Sequence, residues 1–78
     1  MTAIWHVTTA KKLARYQCVG RISPPVRAWK SESAAARFSR QTGRRIILRL
    51  VSDPSFRALD GHRGEAVISA RPYALEGL

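Results

Sequence analysis

The stretch IWHVTTAKKLARYQCVGRI, Ile4 to Ile22, changes period at its two threonines. Before them the residues alternate, so Ala3 to Thr8 reads as a strand with Ile4, His6 and Thr8 on one face and Trp5 and Val7 on the other. After them the spacing is helical. Thr8 or Thr9 serves as N-cap, Gly20 closes the helix in the left-handed conformation, and Ala10, Leu13 and Ala14 form an apolar stripe. Lys11, Lys12 and Arg15 fall on the opposite side, which gives a short helix with one basic face.

The same grammar repeats downstream. Beyond the rigid Pro24-Pro25 pair, Val26 to Trp29 reads as a short strand, and Ser31 caps a helix that runs through Gln41 and stops at Gly43. Ala34, Ala35 and Phe38 face inward on it, with Ser33, Arg37 and Arg40 outward. Arg45 to Val51 is apolar enough to be expected as the best-buried strand, ended by Asp53-Pro54. An Asp60-Gly61 turn then introduces a last strand, Glu65 to Ser69. The order β-α-β-α-β-β predicts an α+β fold: a small, mostly antiparallel sheet with two short helices packed on one face and the other face open to a ligand. A chain of 78 residues is read as a single domain, 1–78, with 70–78 as a loosely packed C-terminal tail.

The formal charge is +9, from fourteen Lys and Arg against five Asp and Glu, and eleven of the fourteen cations are arginines. Arginine's planar fork suits phosphate, so nucleic acid, a nucleotide or an acidic protein is the expected partner class. Cys18 is the only cysteine. It excludes an intramolecular disulfide and a cysteine-based metal site, and points to the reducing cytoplasm. No apolar run approaches the roughly 20 residues that span a bilayer, so no membrane partner is expected.

Three groups of residues carry candidate chemistry. His6, Thr8 and Thr9 stand where the first strand meets the first helix, whose unpaired N–H groups attract an anion; this is a candidate phosphate or ribose site, or an ordinary cap beside a sheet histidine. Asp60, His62 and Glu65, bracketed by Gly61 and Gly64, bring a carboxylate and an imidazole together, the pairing used in acid–base work, or they form a plain polar turn. Asp60, His62 and His6 have no recognised ligand spacing, and no metal is expected. Lys11, Lys12, Arg15, Arg37 and Arg40 form a polyanion-binding set, with Arg44, Arg45 and Arg49 nearby and Trp29, Tyr16 and Tyr73 available for stacking.

The blocks IWHVTT, VRAWKSESAAARFSRQTGRRIILRLV and GEAVIS resemble the ordered blocks of the ADP-ribosyltransferase fold. In that family an aromatic-His-x-Thr strand opens the domain and its histidine holds a ribose of NAD. A strand ending in Ser or Thr follows, and a glutamate at the head of a late strand directs catalysis. The resemblance implies NAD as ligand, catalytic roles for His6 and Glu65, and ligand contacts from Ser31 or Ser33. It also implies that His6 and Glu65 line one pocket. The chain is shorter than enzymes of that class and leaves little sequence between Ser52 and Glu65 for a substrate loop. The competing readings are a basic RNA-binding or RNase-toxin-type protein, with His6 or His62 as base, and a phage or bacterial inhibitor that docks on an acidic protein. The residues leave open whether the domain turns over a substrate.

Overall fold

The structure, a computed structural model, describes residues 2–75. It is α+β, with a mostly antiparallel sheet and two helices. In chain order the elements are β1 (Ala3–Thr8), α1 (Ala10–Val19), β2 (Arg21–Ile22), β3 (Val26–Trp29), α2 (Glu32–Thr42), β4 (Ile46–Val51), β5 (Phe56–Ala58), β6 (Ala66–Ser69) and β7 (Tyr73–Ala74). The main sheet has the order β4-β1-β3-β6-β5, and β2 and β7 form a separate ribbon.

Both helices start and stop where short polar side chains and glycines dictate. Thr9 Oγ1 accepts the Lys12 N–H at 3.2 Å and Ser31 Oγ accepts the Ala34 N–H at 3.2 Å. Gly20 and Gly43 end them at φ 82° and 73°, a conformation that costs an L side chain about 1 kcal/mol or more.

The registers fix the two faces of the sheet. Ile4 lies opposite Leu50, and Ala28 opposite Val67; with Ile22 and Val26 these side chains make the main core. Tyr16 of α1, with Tyr73 and Leu75, packs against that core. The other face carries Trp5, Val7, Ile47 and Trp29, and α2 covers it, burying Ala34 and Ala35 and setting the Phe38 ring 5.3 Å from that of Trp29.

Several finer expectations are corrected. The helices lie over opposite faces, because the β2–β7 ribbon roofs the Ile4 face and draws α1 with it. Ala10 and Ala14 are exposed and α1 buries none of its residues, its inward contact coming from Tyr16. Strand β4 is an edge strand with only Leu50 buried; β1 and β6 are the better-buried strands. Glu65 precedes β6 rather than opening it. The segment after Ala70, expected to be loose, is tied down through Leu75. Tyr73 Oη accepts the Val51 N–H at 2.9 Å, and the Leu75 N–H donates to Gly20 O at 3.1 Å. The remainder of that expected tail, 76–78, lies outside the described residues.

Candidate functional site

Strand β1 is zipped to β4 at six positions but to β3 at only one, Trp5 opposite Trp29. Continued in that register, Val7 would face Arg27 and donate its N–H to the Arg27 carbonyl. That carbonyl instead accepts from the His6 Nδ1–H, at 2.6 Å. An imidazole stands in for a ladder bond, and beyond it the two strands part.

The gap is a cleft of about 410 Å³, within the range of small-ligand sites. His6, Val7 and Thr8 border it on one side and Arg27, Ala28 and Trp29 on the other, with Lys12, Tyr16, Phe38, Arg44 and His62 at its rim. His6 is 7% exposed and Thr8 0%. Both line the cleft, yet His6 Nε2 and Thr8 Oγ1 are buried without a hydrogen-bond partner in the protein. Buried polar atoms left unpaired are uncommon and costly.

The chemistry of that pair follows from the tautomer. A carbonyl only accepts, so Nδ1 carries the proton. Burial lowers the His6 pKa from 6.5; the Lys12 and Arg44 charges add to this, against the Arg27 carbonyl, which raises it. The ring is therefore neutral near pH 7, and Nε2 offers a bare lone pair. Nε2 accepts, and the Thr8 hydroxyl can accept or donate. Together they match a hydroxyl on a ligand, while Lys12, Arg27 and Arg44 match a phosphate.

One wall of the cleft is aromatic. Trp29 meets Phe38 on one side and, edge-on with ring centroids 5.4 Å apart, His62 on the other. His62 is aimed there by an unusual turn: Gly61, His62, Arg63 and Gly64 all have positive φ, at 83°, 52°, 55° and 73°. A left-handed conformation costs a non-glycine residue about 1–2 kcal/mol, and such strain concentrates at functional sites.

Two shallower depressions adjoin the cleft. One, of about 260 Å³, shares Trp29, Phe38 and His62 with it and adds Arg37, Gln41, Arg63 and Glu65. The other, of about 550 Å³, shares Pro25 and is bordered by Ser55, Arg57, Ile68 and Arg71.

The structure thus brings together His6, Thr8, Lys12 and His62 in the cleft. Arg37 and Glu65 line the adjoining depression, which shares Trp29, Phe38 and His62 with the cleft, so His6 and Glu65 line neighbouring depressions rather than one pocket. Thr9 and Ser31 are committed to helix caps, and Ser33 Oγ lies 3.4 Å from Ser31 Oγ. Lys11, Arg15 and Arg40 are exposed and line none of the three depressions. Among the described residues, no group of three His, Cys, Asp or Glu side chains is placed to hold a metal ion. Arg27 is a site residue that the sequence reading missed; its signal was the alternation of Val26 to Trp29, which sets it on the face opposite Val26 and Ala28.

Among the described residues, no helix is long and apolar enough to cross a membrane. Compared with known proteins, the chain matches no family model, no curated protein and no solved structure.

Proposed function

We propose that the domain binds a nucleotide of the NAD type in the cleft between β1 and β3, as an ADP-ribosyltransferase-like protein. One observation carries the reading: His6 and Thr8 line a cleft that also presents Lys12 and Arg44, and the Nε2 and Oγ1 atoms of these two residues are buried without a partner. With a small shift of the lining that opens these two atoms, a ribose hydroxyl donates to Nε2 and pairs with the Thr8 hydroxyl, and the neighbouring cations take the phosphates. The Trp29 and Phe38 rings, tilted by 43° to one another, offer apolar surface to a base. The position of Glu65 in the adjoining depression rather than in the cleft favours binding over a concerted His6–Glu65 reaction, so the activity is recognition. Cys18 is free and exposed, which suits the reducing cytoplasm in which we place this activity.

The test is titration with ADP-ribose and NAD, followed by amide chemical shifts. Shifts should concentrate at Val7, Thr8, Arg27 and Trp29. Thr8→Val keeps the shape of the side chain and removes its hydroxyl, and it should weaken binding about five- to tenfold. Absence of shifts at these amides with either ligand would sink the reading.

A further inference from the structure

The three depressions share lining residues in series, Pro25 joining the largest to the cleft and Trp29, Phe38 and His62 joining the cleft to the smallest. Seven cations border the series against a single carboxylate, that of Glu65. Arg57 and Arg71 stand at one end, Lys12, Arg27 and Arg44 at the middle, and Arg37 and Arg63 at the other end. A lone nucleotide occupies the cleft and leaves the outer four arginines unused. Their arrangement asks for a ligand that is anionic at intervals and longer than the cleft.

We infer that this track binds single-stranded RNA, with one nucleotide's ribose seated on His6 and Thr8 and its neighbours running into the two outer depressions. The inference rests on the nucleotide reading of the cleft and extends it to a polymer. Three features select this class. Cations in all three depressions match a phosphodiester backbone, whose binding is driven by counterion release. Exposed and half-buried aromatic groups, Trp29, Phe38 and His62, offer stacking surfaces that only unpaired bases reach. An acceptor at the ribose distinguishes RNA from DNA, because only RNA carries the 2′-hydroxyl. The molecule measures 33 × 29 × 19 Å, which gives a surface track room for about four to six nucleotides.

The experiment is fluorescence anisotropy of the whole chain with a labelled six-nucleotide RNA and its deoxy counterpart, across a salt series. RNA should bind about fivefold tighter than DNA, and Thr8→Val, which leaves the His6 acceptor in place, should narrow the difference. Log affinity should fall against log salt with a slope near −3.5, from about five phosphates. The double variant Arg57→Gln, Arg71→Gln lies outside the cleft and should flatten that slope by about 0.7 for each arginine removed. Equal affinity for RNA and DNA, an unchanged slope in the double variant, or equally tight binding of polyglutamate overturns the inference. If ADP-ribose still shifts the cleft amides while the RNA fails to bind, the track is refuted and the nucleotide site stands.

Discussion

Strand β1 has two neighbours and treats them differently. Toward β4 the ladder is complete over six residue pairs, whereas toward β3 it makes one pair and then opens around His6. On the closed side apolar Ile4 meets Leu50, each 1% exposed. On the open side the buried residues are His6 and Thr8, with unpaired polar atoms. The same strand is a stability element on one flank and a recognition element on the other. In a domain this small a pocket is made by omitting strand pairs rather than by adding chain.

The largest expected effect lies on the closed flank. Leu50→Ala should cost about 3 kcal/mol, a large share of the roughly 5–15 kcal/mol that holds a domain folded, and urea denaturation measures it. A loss under about 1 kcal/mol would mean that β4 is not a structural partner of β1. On the open flank the sign should reverse. Thr8→Val removes an unpaired buried hydroxyl, so it should stabilise the free protein by about 1 kcal/mol while weakening ligand binding. Destabilisation by this variant would show that the hydroxyl serves the fold.

Two smaller effects sharpen the contrast. Because the Thr2 carbonyl accepts from the Ser52 N–H, the even-numbered peptide groups of β1 face β4 and the odd-numbered ones face β3. The Val7 amide should therefore exchange with solvent faster than those of His6 and Thr8, and slow on ligand binding. Equal protection at all three would close the proposed gap. The depressed pKa of His6 sets the last expectation. The neutral ring is favoured by folding, so its contribution to stability is complete above pH 6.5 and is lost as pH falls from 6.5 through the lowered folded value. Affinity for a ribose hydroxyl should fall over the lower part of that range, since protonated Nε2 no longer accepts. A histidine NMR titration midpoint at or above 6.5 for His6 would contradict the burial.

What could be read from the chain was what is locally determined. Thr9, Ser31, Gly20 and Gly43 cap their helices because a hydroxyl three residues ahead of an amide, or a residue free to take positive φ, does the same work in any fold. The alternation of Ile4, His6 and Thr8 was legible for the same reason, and so was the inward face of Ala34, Ala35 and Phe38. The ribbon of β2 and β7 was not, since each has two residues and they meet across some fifty positions of chain. Its absence from the reading is why both helices were expected on one face. The cleft was hidden more deeply. It consists of pairings that do not form, and no local pattern in Val7 or Arg27 announces that a histidine one residue away takes their bond. His6, Thr8 and Lys12 were legible as candidates by residue type; their convergence was a property of the split ladder.

The turn from Gly61 to Gly64 has a consequence for handedness. Four successive positive φ angles trace a backbone that mirror-image residues adopt at ease, and the chain enters and leaves it through achiral glycine. A chemically synthesised chain with the D-enantiomer at position 62 would relieve the backbone, but it would project the imidazole from the other side of the Cα atom and away from the Trp29 ring it now meets edge-on. Backbone ease and ring placement thus call for opposite configurations at this one atom, and the natural residue satisfies the second.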